Sequence, residues 1–494
     1  MTAAVTADRH YVPSARELTI GGRAVVPEGT EWEVHNPATE ARLAVVRGAS
    51  SVQVDRAVAA ARAAFPDWSE ATGEQRRAAL HRLADAMEAR LPELLASIVN
   101  EVGTPVSLAE PMQLRLGLEH LRWQADAAPK DRTVHLGAHA TPVPTVSEVD
   151  HYPTGVVAAI TGYNYPLNLA VFKFGAALAA GCTVVLLPSP RTPLTTLLLG
   201  EIVRESGLPA GVLNVIAGDA DTGRQLSSHA GVDKVTFTGS DAVGARIMAQ
   251  AATTLAGVTL ELGGKSANIV LPGCRVEDFA LELHLRWSRN GGQGCAALAR
   301  LLVHEGLYDR FLAASADAFA QLTVGDPWDP ETTVGPMIRP DHRDRVRSFV
   351  DDALADGGRV LLRTGTPLPD KGWYVEPVLL GGLPHSAAAV QQEIFGPVAV
   401  VVPFAATDEA VRLANDTAYG LAANVWAPEL AQGRRVAQCL RAGTVWVNGG
   451  GGMRPDAPFG GSGRSGVGRE LGEWGIHDFL EPRHIQWRVE GESR

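Results

Sequence analysis

The sequence predicts an α/β protein with two open parallel-sheet domains and a small antiparallel sheet. Short apolar, β-branched runs alternate with helix-like stretches through residues 154–262, and the same alternation returns after about residue 292. Strands buried on both faces read as continuous apolar runs, which is typical of parallel sheets flanked by helices. Strand-like segments with alternating side chains, before the first unit and at the end of the chain, predict the third sheet.

Length and composition favour a multidomain protein that acts on a small molecule. The chain has 494 residues, 46% of them hydrophobic and 20% charged, and more than one core is expected at this length. A formal net charge of -11 disfavours nucleic acid or an anionic membrane as a partner. No apolar run reaches the roughly 18 residues of a membrane span, and the polar start is unlike a secretion signal, so we expect a cytoplasmic protein.

Residues 52–95 carry apolar side chains at helical spacing, interrupted around Pro66. This pattern predicts two amphipathic scaffold helices. Next come the apolar runs VVAAI and TVVLL, with the helix-like FKFGAALAAG between them, and then GVLNVIAG, KVTFTGS, DAVGARIMAQAA and GVTLELGG. Alternation of this kind predicts an open, Rossmann-like unit, and residues 1–130 and 151–262 are assigned to a dinucleotide-binding domain.

A second α/β unit is predicted from ARLLVHE, the long helix-like LYDRFLAASADAFAQL, PVAVVVPF, TDEAVRLAN and GTVWVNGG. We assign residues 263–463 to this catalytic domain. The strand-like RTVHL, most of PTVSEVDHY (144–152) and HIQWRV are assigned to a third segment, residues 131–150 and 471–494. Exposed strands far apart in sequence predict a small sheet that pairs with another subunit, in a homodimer or homotetramer.

One of the four cysteines stands in an unusual setting. Cys182, Cys274, Cys295 and Cys439 are widely spaced without a CxxC pair or a His at ligand spacing, so neither a disulfide framework nor a metal site is expected. A lone cysteine is usually a small buried hydrophobic residue. In NGGQGCAALAR, however, glycines and alanines surround Cys295, which leaves it open to approach by a ligand.

Two polar residues at predicted strand ends complete a possible reaction centre. Glu261 ends the apolar run before Gly263 and Gly264, where a carboxylate can act on water. Asn164 follows the strand VVAAI, and its amide can donate to a developing oxyanion. Ligand sites of open sheets lie at strand ends, so the combination points to a nucleophile, a base and an oxyanion donor.

Several ordered motifs make the chain resemble the aldehyde dehydrogenase superfamily nearly from end to end. The resembling stretches are WSEATGEQR (68–76), PTGVVAAITGYNYPLN (153–168), AAGCTVVLLPSPRTP (179–193), FTGSDAVG (237–244), LELGGKSANIV (260–270), NGGQGC (290–295), EIFGPV (393–398), NDTAYGLAA (415–423) and PFGGSGRSGVGRELG (458–472).

The resemblance implies NAD(P)-dependent oxidation of an aldehyde to the carboxylic acid. Cys295 would attack the aldehyde, the Asn164 side chain and the Cys295 N–H would hold the oxyanion, and Glu261 would activate water to hydrolyse the thioester. Relatives that transfer the acyl group to coenzyme A lack this Glu, so hydrolysis is favoured. A catalytically silent structural or binding relative is the alternative from another class.

The resemblance also implies a set of cofactor-binding residues. Gly239 and Ser240 would approach the pyrophosphate at a helix N-terminus, and Glu393 with Phe395 would hold the nicotinamide ribose. The full predicted set is Thr161, Tyr163, Ser189, Arg191, Phe237, Gly239, Ser240, Gly244, Leu262, Glu393 and Phe395.

The adenosine end departs from the pattern of many relatives. Where they carry a Lys and a Glu that bind the ribose, this chain has Leu187 and Pro190. Loss of the Glu removes an obstacle to a 2′-phosphate, and Arg191 could supply a positive partner. We expect NAD as the principal cofactor, with NADP as a second possibility.

The substrate pocket is predicted to include Tyr165, Leu169, Arg289, Met453 and Phe459. Glycines at 449–452 predict either an open substrate mouth or a plain surface loop. Relatives that oxidise semialdehydes carry an Arg where this chain has Arg289, which makes a semialdehyde an alternative substrate. His284 and Arg286 are expected on a helix surface.

Overall fold

The computed structural model describes residues 5–14, 16–450 and 452–489. Its strands are β1 (Leu18–Ile20), β2 (Arg23–Val25), β3 (Glu31–His35), β4 (Arg42–Arg47), β5 (Val134–His139), β6 (Thr145–Pro153), β7 (Val156–Ile160), β8 (Thr183–Leu187), β9 (Leu213–Val215), β10 (Lys234–Thr238), β11 (Gly257–Glu261), β12 (Ala267–Val270), β13 (Arg300–His304), β14 (Arg359–Arg363), β15 (Val378–Gly381), β16 (Val398–Phe404), β17 (Ala422–Trp426), β18 (Thr444–Val447), β19 (Gly466–Val467) and β20 (Leu480–Arg488).

The α-helices are α1 (Ser51–Glu70), α2 (Gly73–Ala89), α3 (Leu91–Val102), α4 (Val106–Ala109), α5 (Leu116–Ala127), α6 (Pro166–Ala180), α7 (Leu194–Glu205), α8 (Ala220–Ser227), α9 (Asp241–Ala251), α10 (Ala280–Ser288), α11 (Tyr308–Phe319), α12 (Pro340–Ala355), α13 (Ala388–Gln391), α14 (Thr407–Asn415), α15 (Leu430–Gln438) and α16 (Gly472–His477). A π-helical turn, Glu110–Arg115, lies between α4 and α5.

The first sheet has eight strands in the order β19-β11-β10-β7-β8-β9-β1-β2. Its centre, from β11 to β9, is parallel, and β19, β1 and β2 add antiparallel edges. Helices cover both faces, so β7, β8 and β10 are buried throughout. This explains why those strands read as continuous apolar runs. The carboxyl ends of β7, β10 and β11 therefore meet at one edge.

The second sheet has seven strands in the order β14-β15-β16-β13-β12-β17-β18, all parallel except β14 at one edge. The third is antiparallel, in the order β20-β6-β5. The predicted fold class is confirmed. The domain boundaries stay a prediction, and residues 1–4, 15, 451 and 490–494 of those ranges lie outside the described residues.

The helical segment 52–95 differs from the prediction. The chain does not break at Pro66, which lies inside α1 near its C-terminal end. Capping boxes instead set the starts of the first two helices, with Ser50 and Gln53 at α1 and Thr72 and Gln75 at α2. Three helices therefore occupy the region where two were predicted. A Pro near the end of a helix removes one backbone hydrogen bond without terminating it at that residue.

In the described part of the chain, no helix is both long and apolar enough to cross a membrane. Within the same residues, no group of three or more His, Cys, Asp or Glu side chains is placed to hold a metal ion.

Candidate active site

A cleft of about 700 Å³ lies at the carboxyl ends of the first sheet's strands and reaches Cys295. Residues from the second α/β unit, including Glu393 and Phe395, close its inner end. Most of the predicted cofactor-binding residues line it: Thr161, Tyr163, Ser189, Arg191, Phe237, Gly239, Ser240, Leu262, Glu393 and Phe395. Gly244 does not line it; a Cβ there would come within 2.6 Å of the Leu262 side chain, so this glycine allows close helix packing.

Cys295 follows a loop whose backbone is closely packed against its neighbours. Asn290, Gly291 and Gly292 have positive φ angles of 55°, 63° and 71°. A Cβ on Gly292 would lie 2.2 Å from the carbonyl carbon of Gly396, so a larger residue could not pass there. Cys295 itself is half-buried and lines the cleft.

Burial raises the pKa of the Cys295 thiol, and the charges of Glu261 and Glu393 raise it further. The thiol is therefore protonated at neutral pH in the free protein, and a base must remove its proton before it can attack.

Glu261 is the last residue of β11 and is 2% exposed. Neither of its carboxylate oxygens has a hydrogen-bond partner among the described residues. Burial raises its pKa well above the usual value, with Glu470 adding to the effect, while Lys173 and Arg469 oppose it. A buried carboxyl group with a raised pKa and open acceptor positions is suited to take a proton.

Asn164 lies just after β7, is 5% exposed and donates from Nδ2 to the Gln293 carbonyl oxygen at 2.9 Å. Its backbone carbonyl accepts from Asn290 Nδ2 at 3.1 Å. An amide nitrogen carries two hydrogens, and one of the two remains for a further acceptor. The Asn164 side chain is thus fixed to the same loop that carries Cys295.

Glu393 and Phe395 occupy the inner end of the cleft. Glu393 Oε1 accepts from the Gly264 N–H at 3.0 Å, and a Cβ on Gly263 would lie 2.3 Å from Glu393 Oε2. Burial raises the pKa of Glu393 to about 7. Phe395 has a positive φ of 58°, and its ring meets Tyr163 edge-on at 6.0 Å between centroids.

The turn between β10 and α9 lies along the cleft. The Gly239 N–H donates to the Glu261 carbonyl oxygen at 3.0 Å, which ties the turn to β11. Ser240 is the N-cap of α9 but makes no side-chain cap. In the first turn, the Ala242 N–H donates to Asp241 Oδ1 at 2.7 Å and the Val243 N–H to the Ser240 carbonyl at 3.1 Å. The dipole of α9 still favours an anionic group at this end of the cleft.

The adenosine end is formed by the loop after β8. Leu187 is buried, and the Pro190 carbonyl accepts from the Trp32 indole Nε1 at 2.8 Å. Ser189 Oγ accepts from the Arg191 N–H at 3.3 Å. The Arg191 side chain makes no hydrogen bond or ion pair with the described residues, and it lines the cleft.

An apolar cluster contacts Cys295 from the other side. Its buried members are Leu169, Phe172, Leu421, Phe459 and Leu471, and the partly buried Tyr165, Ala296 and Met453 pack against it together with Cys295. Four predicted pocket residues therefore come together beside the thiol. The fifth, Arg289, is exposed and has no hydrogen bond or ion pair within the described residues. Its charge lowers the pKa of Tyr165, which burial raises overall.

The prediction of a position on a helix surface is wrong for His284 and holds only in part for Arg286. His284 is fully buried, bonds Ser315 Oγ through Nε2 at 2.8 Å and accepts from Trp287 Nε1 at 3.1 Å. Arg286 instead pairs with Glu282, lies over the Trp446 ring and donates to the Gly450 carbonyl. Arg286 thereby holds the glycine loop, of which Gly451 lies outside the described residues.

The sequence reading missed a buried ion pair behind Glu261. Lys173 and Glu470 are 0% and 4% exposed and lie 2.5 Å apart, and Lys173 Nζ also donates to Thr236 Oγ1 at 3.1 Å. The signal was a Lys inside the otherwise apolar helix FKFGAALAA, because a charge on a buried helix requires a partner.

Comparisons with known proteins agree with this geometry. A model of the aldehyde dehydrogenase family matches residues 25–485. The geranial dehydrogenase of Castellaniella defragrans is 38% identical over 476 residues, which cover 95% of this chain and 98% of that protein. The 2-hydroxymuconic semialdehyde dehydrogenase of a Pseudomonas strain, CF600, is 39% identical over 489 residues, covering 97% and 98%.

Solved structures also match this chain over nearly its whole length. The NAD+ complex of a Bacillus cereus aldehyde dehydrogenase has a TM-score of 0.92 at 35% identity and 97% coverage of both chains. A mutant of aldehyde dehydrogenase C from Pseudomonas syringae, in complex with NAD+ and octanal, has a TM-score of 0.91 at 36% identity and covers 96% and 98%. The resemblance seen in the sequence is confirmed: the chain belongs to the aldehyde dehydrogenase family.

Proposed function

We propose that the protein oxidises an aldehyde to its carboxylic acid through a thioester on Cys295, with NAD as cofactor. The observation that carries the proposal is the position of Cys295, which contacts the apolar cluster on one side and lines the cleft on the other. A substrate carbonyl and a nicotinamide could therefore meet at the thiol.

The first steps rest on Glu261 and Asn164. Glu261 takes the thiol proton, and the thiolate sulfur bonds to the aldehyde carbon. The free N–H of the Asn164 amide and the Cys295 N–H stabilise the resulting oxyanion. The bound dinucleotide supplies the acceptor for the hydride that leaves this carbon.

Hydrolysis completes the cycle. Glu261 first releases the thiol proton to solvent and is again a carboxylate. It then takes a proton from water as the water oxygen attacks the thioester carbon, and it returns this proton to the sulfur as the carbon–sulfur bond breaks, which releases the acid and the Cys295 thiol. The charge of Glu470 raises the pKa of Glu261 and that of Lys173 lowers it, so the buried ion pair adjusts how readily Glu261 holds a proton.

The cleft fits a dinucleotide by its shape and by its donors. The N-terminus of α9 would hold the pyrophosphate, and Glu393 would accept from ribose hydroxyls, while Gly263 leaves room for that carboxylate. NADP is the second candidate cofactor, favoured by Arg191 and by Pro190, which cannot repel a 2′-phosphate. Steady-state rates with each dinucleotide test this, and a strong preference for NADP would overturn NAD as the principal cofactor.

The apolar cluster favours an aldehyde with an apolar body. The relatives include a geranial dehydrogenase and a structure that holds octanal. A semialdehyde is the second candidate, because Arg289 is free to bind a distal carboxylate. Comparison of succinic semialdehyde, hexanal and benzaldehyde distinguishes them: a preference for hexanal supports the first and removes Arg289 from the site.

Absorbance of the reduced nicotinamide, followed with a panel of aldehydes, tests the reaction itself. We expect a signal without coenzyme A that is lost in Cys295→Ser. Absence of a signal with either dinucleotide would favour a catalytically silent relative, and a requirement for coenzyme A would indicate acyl transfer.

The three-stranded sheet supports assembly with further copies of the chain. Its strands β5 and β20 have free edges and expose Val134, Leu136, Ile485 and Trp487. Exposed strand edges carry unpaired backbone N–H and C=O groups, and proteins usually cover or protect such edges. We expect a homodimer or homotetramer, which sedimentation analysis would detect.

A further inference from the structure

A closed ring of buried amides holds Asn164 in place. Asn290 Nδ2 donates to the Asn164 carbonyl (3.1 Å), Asn164 Nδ2 donates to the Gln293 carbonyl (2.9 Å), and Gln293 Nε2 donates to the Asn290 carbonyl (3.0 Å). Each side chain thus fixes the backbone of the next member. All three residues are at most 5% exposed, so water does not compete for these bonds.

The ring is anchored to the scaffold on one side by Gln293. Its Oε1 accepts from the Tyr163 hydroxyl at 3.1 Å and from the Ile338 N–H at 3.0 Å. Asn290 has a left-handed backbone, a conformation that Asn adopts more readily than most residues with a side chain. The orientation of its side-chain amide is set by the hydrogen bonds of that amide.

Thr104 supplies one of these hydrogen bonds. Its Oγ1 lies 2.8 Å from Asn290 Oδ1, and Gln113 Nε2, from the π-helical turn, donates to the same Oγ1 at 3.3 Å. A hydroxyl has one hydrogen. Because Oγ1 accepts from Gln113, its hydrogen points to Asn290 Oδ1, which turns the Asn290 amide nitrogen towards the Asn164 carbonyl.

We propose that Thr104 is a positioning residue for the oxyanion-binding amide of Asn164 and acts through Asn290, with Gln113 orienting its hydroxyl. This inference rests on the proposed function, in which Asn164 binds the oxyanion. Thr104 and Gln113 are each fully buried in the loop and turn between α3 and α5, and neither lines the cleft. Their effect is on the geometry of the transition state rather than on binding of the dinucleotide.

The test compares Thr104→Val with Thr104→Ser and with a matched control, Thr196→Val. Thr196 is also buried, but its Oγ1 has no partner among the described residues. We expect Thr104→Val to lower kcat about tenfold or more without changing the KM for NAD, because small misplacements of a catalytic group have large effects. Thr104→Ser should restore kcat, and Thr196→Val should leave it unchanged.

Alkylation of Cys295 by iodoacetamide separates this role from a general disturbance. Alkylation forms no oxyanion, so its rate in Thr104→Val should match the wild type while aldehyde oxidation falls. An unchanged kcat, or an equal loss of alkylation and oxidation, would overturn the proposal.

Gln113→Leu provides a second variant should Thr104→Val fail to fold. It removes the donor that orients Thr104, and a kcat equal to the wild type would again contradict the proposal. A wild-type protein that oxidises no aldehyde would instead contradict the proposed function, so the two failures are distinguishable.

Discussion

The cleft and the apolar cluster meet at Cys295 but are built differently. The cleft depends on backbone and glycine: Gly263 makes room for Glu393, and a Cβ on Gly264 would lie 2.5 Å from the Cys295 carbonyl oxygen. The apolar cluster consists of side chains from α6 and from residues 421–471. A backbone-built surface tolerates few substitutions, whereas a surface of side chains can change its shape one residue at a time.

Cys295→Ser should have the largest effect on the rate, because the thiol is the nucleophile and lies where the cleft and the apolar cluster meet. We expect kcat to fall on the order of 10⁶-fold, as for other enzymes that lose their nucleophile. Affinities for the dinucleotide and for the aldehyde should persist, as calorimetry can check. Loss of both affinities would mean that the two surfaces are not independent.

Glu261→Gln is expected to lower kcat by about 10²–10⁴-fold, the usual contribution of a general base. Because burial raises the pKa of Glu261, the ionised fraction, and with it the wild-type rate, increases as the pH rises through that pKa. The variant should lose this limb of the pH–rate profile. A limb that persists would assign the titration to another group, such as Cys295.

On the side of the apolar cluster, Met453→Ala should raise the KM for an apolar aldehyde about tenfold, in the range for lost apolar contact in a pocket. The KM for NAD should not change. Met248→Ala is a matched control, since Met248 is 40% exposed on α9. Equal changes in both KM values would show that the apolar cluster and the cleft are coupled.

In the cleft, Glu393→Gln should raise the KM for NAD about tenfold or less, because the substitution replaces a charged acceptor of ribose hydrogen bonds with a neutral one. The pKa of Glu393 is raised to about 7, so the carboxylate forms as the pH rises through this value. Wild-type KM for NAD should accordingly fall between about pH 6 and 8. A pH-independent KM in the wild type would contradict this role.

The same contrast explains what the sequence could predict. Many residues of the cleft follow strands of the first sheet directly, and the apolar runs of those strands are evident in the sequence. Glu393 and Phe395 instead precede β16, and only the family resemblance predicted their role. The departures from the family pattern at Leu187 and Pro190 were likewise visible in the sequence. The hydrogen bond from Trp32 that fixes the Pro190 carbonyl, however, joins residues far apart in the chain. Periodicity and strand-end motifs report on neighbours in sequence, and they do not reveal such long-range bonds.

Long-range pairing also accounts for the remaining errors. His284 was expected on a helix surface, yet its ring lies among Trp287, Phe311 and Phe319. The sequence of α10 alone does not indicate that α11 packs against it. The break assigned to Pro66 was wrong because capping by Ser50 and Thr72 sets where α1 and α2 begin.

The glycine contacts around Cys295 have a practical consequence for protein engineering. At Gly460, a Cβ would come within 2.5 Å of Glu261 Oε1, and at Gly292 the backbone of Gly396 leaves no space at all. Libraries that randomise such positions would consist mostly of inactive clones. Diversity is better placed at Met453, which is partly buried against the apolar cluster, where the chain can acquire new substrates without rebuilding its chemistry.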